Sequence, residues 1–202
     1  MMLTFNEELH EYRWNGVAVP SVTTILKPLS NMQFVDPYIL DAAQKFGTAV
    51  HKACELHDLG TLDEDALDPG LAPYLEGWKK FSVEHATRWL VIEKPMFHSV
   101  YRYAGTPDRL GMVDGCRSVV DIKSGSALFP TVGPQTAAYL NIANHRELNP
   151  FERRYAVQLK MDGTYKLEEY KDPSDWSVFM SLITLRGWCA KHSITPNFQE
   201  KK

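Results

Sequence analysis

Cysteine is scarce. The chain has three, Cys54, Cys116 and Cys189, odd in number and far apart, which speaks against both a disulfide framework and a Cys-x-x-Cys metal site. No apolar run approaches the ~18 residues needed to span a bilayer, so no membrane partner is expected. The opening stretch, Met-Met-Leu-Thr-Phe-Asn-Glu-Glu, lacks the basic segment and apolar stretch of a secretory signal, which predicts a cytoplasmic protein. Basic residues are not in excess either: 22 Lys and Arg stand against 25 Asp and Glu, for a net charge of −3. That removes the signature of a strongly basic nucleic-acid-binding domain but leaves room for a local basic groove. Repeats, linkers and low-complexity tracts are missing as well. What is present is ordinary globular composition, 44% hydrophobic and 23% charged in 202 residues. At a prior of roughly 150 residues per domain this predicts one domain over residues 1–202, with the tail from residue 192 loose.

The hydrophobic periods give a coarse element order. Residues 3–23 read as a hairpin turning at Asn15-Gly16, with Tyr12, Trp14, Val17 and Val19 as strand formers. Ser21 then caps a short apolar stretch, Val22 to Leu26, that Pro28 stops. Helical spacing runs from about 37 to 59 (Ala42, Phe46, Ala49, Val50, Ala53, Leu56) and from about 71 to 84 (Tyr74, Trp78, Phe81). Three strands are expected over 89–97, 100–112 and 118–122, the last two joined at Asp114-Gly115. A helix opened by Gly133-Pro134, a hairpin around Asp162-Gly163 and a final helix after Asp172-Pro173 complete the chain. This order fits an α/β fold, a central mixed β-sheet flanked by helices.

Several polar residues stand at positions where chemistry is possible. Asp121 and Lys123 alternate on a strand and therefore share one face about 7 Å apart, at the point where Ser124-Gly125 ends the strand. The turn at Asp114-Gly115 folds Asp108 back beside Asp121, and two neighbouring carboxylates are costly unless a cation lies between them. Oxygen ligands of this kind suit Mg²⁺ or Mn²⁺. Glu93 is read as facing opposite to Leu90 and Ile92 on the preceding strand, either toward solvent or toward a metal. His51 lies four residues after Gly47 on one helix face, and Gln135 and Tyr139 repeat that spacing in the helix after the lysine. Each also fits a plain role: a surface ion pair, a turn acid, a satisfied histidine, a solvated helix face.

Taken in order, these strings resemble the RecB-type branch of the PD-(D/E)XK nuclease superfamily, with its phage exonucleases. The matching pieces are Phe46-Gly-Thr-Ala-Val-His51, Glu93 with Gly105-Thr-Pro-Asp108, Asp121-Ile-Lys-Ser-Gly125 and Gln135-Thr-Ala-Ala-Tyr139. Pro20-Ser-Val-Thr-Thr-Ile-Leu26 is similar to the family's opening segment. The resemblance implies a restriction-endonuclease-like core in which His51, Asp108, Asp121 and the Ile122 carbonyl bind metal. Lys123 would activate or orient water, Gln135 and Tyr139 would support the lysine and the DNA backbone, and Glu93 would serve a second metal or its water.

The implied activity is a Mg²⁺- or Mn²⁺-dependent DNA exonuclease acting in phage or prophage recombination or in DNA processing. Alternatives are an endonuclease on the same core or a non-catalytic DNA-end binding module. Some relatives hold an iron–sulfur cluster on four cysteines; three are too few here, so no cluster is expected. DNA is the expected partner, with a homo-oligomer or a recombination protein as further options. Backbone contacts are sought at Lys45, Lys52, Arg102, Arg109, Arg153, Arg154 and Tyr139; Trp14, Tyr101 and Tyr103 could stack on bases, but core packing is the safer reading of each.

Overall fold

A computed structural model describes residues 2–7, 9–30, 35–145 and 147–195. The first elements are β1 (Leu3–Asn6), β2 (Glu11–Trp14), β3 (Val17–Val19) and α1 (Val22–Leu26). Helices α2 (Pro37–Asp58) and α3 (Ala72–Glu84) follow. The middle holds β4 (Arg88–Ile92), β5 (Met96–His98), β6 (Tyr103–Gly105), β7 (Arg109–Val113) and β8 (Cys116–Lys123). The chain continues through α4 (Val132–Asn144), β9 (Arg153–Leu159), β10 (Tyr165–Glu169) and α5 (Ser174–His192).

Five strands form the central sheet in the order β10-β9-β8-β7-β4. Only β8 and β9 run parallel within it, joined by the α4 crossover; the other pairs are antiparallel. The expected mixed sheet with helices on both sides is therefore present. The β7–β8 hairpin turns on Asp114 and Gly115, at φ 49° and 74°, the left-handed pair that a tight two-residue loop demands.

β8 decides what faces what. Val120 and Ile122 pack with Val50 and Cys54 of α2, Trp78 and Phe81 of α3, and Tyr155 and Val157 of β9. Val119, on the other face, joins Leu110, Val22, Ala138, Ile142 and Phe179. Asp121 and Lys123 share that second face, toward α4. A slip of one residue would drive both charges into the α2/α3 core, at a cost far above the ~1.5–3 kcal/mol that each buried aliphatic contributes.

Three expectations need correction. The opening segment is a three-stranded sheet, β1-β2-β3, rather than one hairpin. The expected strand over 100–112 is two: β6 pairs with β5 in a separate ladder, and Thr106-Pro107-Asp108 breaks the chain before β7, proline having no N–H to give a ladder. The strand over 89–97 likewise ends at Ile92. The predicted loose tail lies mostly outside the described residues, after α5 ends on Ser193 in the left-handed conformation. Among the described residues no helix is long and apolar enough to cross a membrane. The three cysteines are free and sit on α2, β8 and α5.

Candidate metal centre and groove

His51, Glu93 and Asp108 each offer a ligand atom within 4.8 Å of the others. They arrive from α2, from the turn after β4 and from the break before β7. Glu93 does not continue the strand as its sequence predicts. A bulge between Trp89 and Val91 shifts the register, and Glu93 takes φ 44°, a left-handed conformation costly for a residue with a Cβ. Its N–H donates to the Asp108 carbonyl at 3.0 Å, so the two acids are tied through their backbones.

Asp108 Oδ2 accepts the Ile122 N–H at 2.6 Å. The Ile122 carbonyl lies 3.0 Å from His51 Nε2. With Nε2 protonated the imidazole donates there and turns Nδ1 to the acids, 3.5 Å from Asp108 Oδ1 and 3.7 Å from Glu93 Oε1. Burial works to lower the His51 pKa, but Asp108 and Glu93 outweigh it and raise it to about 10. Asp108 is itself held below the usual carboxylate range: His51, Lys123 and the Ile122 N–H overcome its burial. Glu93 is raised, by burial and by the Asp108 charge.

Asp121 lies outside that trio and meets Lys123 instead, with Nζ 2.7 Å from Oδ2. It is 1% exposed, and neither carboxylate oxygen accepts a well-angled hydrogen bond. Burial, with Asp108 nearby, raises its pKa to about 6 against the pull of Lys123. Burial opposes the charge on Lys123 as well, but Asp121 and Asp108 win and its pKa is raised. Lys123 also donates to Gln135 Oε1, and Gln135 Nε2 donates to the Tyr139 hydroxyl, both at 3.3 Å. Tyr139 fits because Gly105 has no side chain: a Cβ there would stand 2.8 Å from Tyr139 Cε1 and 3.0 Å from Val22 Cγ2. Burial and the neighbouring acids keep the phenol protonated.

These groups border a groove of about 850 Å³, lined by His51, Glu93, Asp108, Ile122, Lys123 and Tyr139 together with parts of α2 and the N-terminal sheet.

No protein-family model and no curated protein matches the chain. Among solved structures it is similar to a protein of Eubacterium rectale provisionally designated an exonuclease, at 9% identity and TM-score 0.49, covering 77% of this chain and 76% of that one. It is also similar to the alkaline exonuclease LHK-Exo of Laribacter hongkongensis, at 10% identity and TM-score 0.42, covering 86% and 91%. The complex of LHK-Exo with dAMP is similar at 11% identity and TM-score 0.39, covering 87% and 93%. At such identities and scores the likeness fixes no activity for this chain.

The predicted DNA contacts separate by burial. Arg109 is fully buried: Nε donates to Asp58 Oδ2 at 2.6 Å, and Nη1 donates to the Asp108 carbonyl at 2.7 Å and to Glu93 Oε1 at 3.2 Å. Its place as a DNA contact is corrected, because it sits behind the acids and braces them. Arg154 is corrected likewise: it is buried, donating to the Gly133 carbonyl and Asp175. Lys52 borders the groove, paired with Glu55 at 2.7 Å, whereas Lys45, Arg102 and Arg153 are exposed and do not line it. The expected stacking residues do not line it either. Trp14 stacks on Phe97, Tyr101 rests against His98, and Tyr103 is buried and donates to the Ala138 carbonyl. The sequence reading missed Asp58 and Arg109 as braces and Tyr12 as a groove residue; an arginine directly after a candidate ligand was the one available signal.

The donor set fits a hard divalent cation. Two carboxylates and an imidazole converge, and beside them the buried Asp121 Oδ1 has no hydrogen-bond partner while Oδ2 is paired with Lys123, so a cation at the trio would also face an unpaired oxygen.

Proposed function

We propose that the chain is a divalent-metal-dependent deoxyribonuclease, an exonuclease hydrolysing phosphodiester bonds from DNA ends. The observation that carries the reading is the convergence of His51, Glu93 and Asp108 within 4.8 Å in a groove that also presents Lys123. Those three residues would hold the cation, with Asp121 joining them, and two or three carboxylates with one nitrogen suit Mg²⁺ or Mn²⁺. A divalent cation supplies positive charge to a phosphodiester and to the water that attacks it.

The chain's own groups account for the rest. Lys123 keeps its proton, so it is a fixed positive charge beside the developing charge on the phosphate rather than a base. Gln135 and Asp121 hold its ammonium in one place. The Tyr139 hydroxyl accepts from Gln135, which leaves its own O–H to donate to a phosphate oxygen. Arg109, braced by Asp58, fixes the Glu93 carboxylate and the Asp108 backbone from behind. The family resemblance of the sequence strings extends the reading to phage or prophage recombination in the cytoplasm, with a recombination protein or further copies of the chain as partners.

The test is a time course on end-labelled linear DNA and on closed circular DNA, with Mg²⁺, Mn²⁺ or chelator. Release of nucleotides from linear DNA alone, abolished by chelator and by Asp121→Asn or Lys123→Ala in folded protein, is expected. Digestion at the native rate by either variant, or in chelator, overturns the assignment. Digestion of the circle reassigns the site to an endonuclease.

A further inference from the structure

Every carboxylate of the centre has one oxygen committed inside the protein. Asp108 Oδ2 accepts the Ile122 N–H at 2.6 Å, Asp121 Oδ2 meets Lys123 Nζ at 2.7 Å, and Glu93 Oε1 accepts from Arg109 Nη1 at 3.2 Å. The partner of Glu93 is unlike the others, because it is locked in place from behind. Arg109 is fully buried, and its guanidinium lies over the Trp78 ring, 5.4 Å from the centroid. Asp58 holds both of them: Oδ2 accepts from Arg109 Nε at 2.6 Å and Oδ1 from Trp78 Nε1 at 3.0 Å. A guanidinium does not lose its proton in a protein, so the positive charge beside Glu93 is permanent.

We infer that Arg109 stands where a second cation would act, and that the centre holds one divalent ion. The inference rests on the cation reading above and goes further by fixing the number of ions. Of the two roles that the family resemblance leaves open for Glu93, a second metal or its water, the buried guanidinium removes the first. Ligand supply gives one argument. The ions of a two-metal centre stand about 3.5–4 Å apart and must draw on the same few carboxylates. Here each acid has one oxygen outside the bonds just described. His51 Nδ1 and the Ile122 carbonyl, itself 3.0 Å from His51 Nε2, add at most one atom each. Those atoms make up most of one six-coordinate shell; shared between two ions, they would leave both held mainly by water.

Charge gives a second, independent argument. Asp58, Glu93, Asp108 and Asp121 carry four negative charges, and Arg109 and Lys123 carry two positive ones. With His51 neutral, as a ligand must be, the excess is two, which one divalent ion cancels. Lys52 and Glu55 pair with each other at 2.7 Å and add nothing. In the free protein a second ion would leave the cluster positive, and an uncompensated buried charge is costly. Arg109 acts through Glu93 and touches no reacting atom, so it is a positioning residue.

Mn²⁺ alone is the probe, titrated into the whole metal-free protein and read by calorimetry and electron paramagnetic resonance. The wild type should bind one equivalent and show the hyperfine pattern of an isolated ion; two neighbouring ions would couple and broaden it. Arg109→Lys keeps the charge and should stay at one equivalent. Arg109→Gln removes it, and binding should rise from one equivalent to two in protein that circular dichroism shows to be folded. A guanidinium that is only a structural brace predicts the opposite, loss of the first ion in both variants. Arg109→Gln combined with Asp58→Asn removes the buried pair together and orphans no charge, so it should return to one equivalent even if Arg109→Gln alone fails to fold. Two equivalents in the wild type or in the double variant, or one in folded Arg109→Gln, overturn the inference and leave the cation site standing. No saturable binding to the wild type defeats the cation reading itself, and this inference with it.

Discussion

His51 and Ile122 are tied across the sheet face: the imidazole Nε2 lies 3.0 Å from the Ile122 carbonyl oxygen, while the Ile122 N–H donates to Asp108 Oδ2 at 2.6 Å. One peptide segment of β8 thus aims a helix side chain and a turn side chain at the same point. An outer hydrogen bond of this kind fixes the ring and its tautomer. His51→Ala should leave the fold intact, the ring being partly exposed, and weaken Mn²⁺ binding by at least about tenfold. Calorimetric titration with circular dichroism as the folding control checks this.

Arg109 separates a brace from a DNA contact. Its guanidinium is fully buried against Asp58 and Glu93. Removing one partner of a buried pair costs about 3–5 kcal/mol, so Arg109→Ala should show a large fall in the urea midpoint, whereas Lys52→Ala, at the surface, should shift it little. Native stability of Arg109→Ala with lost DNA binding would contradict the placement.

Two glycines of the site should respond in opposite ways to alanine. At Gly105 the added Cβ meets Tyr139 at 2.8 Å and Val22 at 3.0 Å, so Gly105→Ala should cost about 1–3 kcal/mol through overpacking and displace Tyr139. At Gly47, inside α2, the nearest contact is 3.5 Å, and Gly47→Ala should stabilise by about 0.5–1 kcal/mol through helix propensity. Thermal unfolding of both variants decides it.

Acid should weaken the fold through His98. The ring is 4% exposed, accepts the Tyr101 N–H on Nδ1 and lies against the His145 ring, centroids 3.9 Å apart and planes tilted by 30°. Burial and then the His145 charge push its pKa down to about 4. The unfolded chain, with a histidine near 6.5, binds more protons between those values. This contribution is therefore complete above about pH 6.5 and declines as pH falls toward 4, at up to about 1.4 kcal/mol per unit. Urea midpoints at pH 7 and pH 5 should diverge for the wild type and converge for His98→Gln; parallel behaviour would contradict it.

Local signals made the scaffold legible. The helical period of Phe46, Val50 and Ala53, the Asp114-Gly115 turn and the strand ending at Lys123 are properties of neighbouring residues, and each element forms where they stand. The position of Glu93 was not readable, because a bulge and a left-handed residue reverse the face that simple alternation assigns. The burial of Arg109 depends on Asp58, far away in sequence and carrying no local mark. The groove rings followed the same rule: Tyr12 reaches the site only through Thr106, a contact that spacing alone does not encode.

The proposed nuclease requires that His51, Glu93 and Asp108 hold one cation together. Titration of Mn²⁺ into the metal-free protein, beside Asp108→Asn of confirmed fold, tests it most directly. Saturable binding to the wild type, weakened at least about tenfold in the variant, is the predicted result, because Asp108 offers one of the three converging ligand atoms and is anchored by the Ile122 N–H. Equal affinity in the two proteins, or no binding to either, would contradict it.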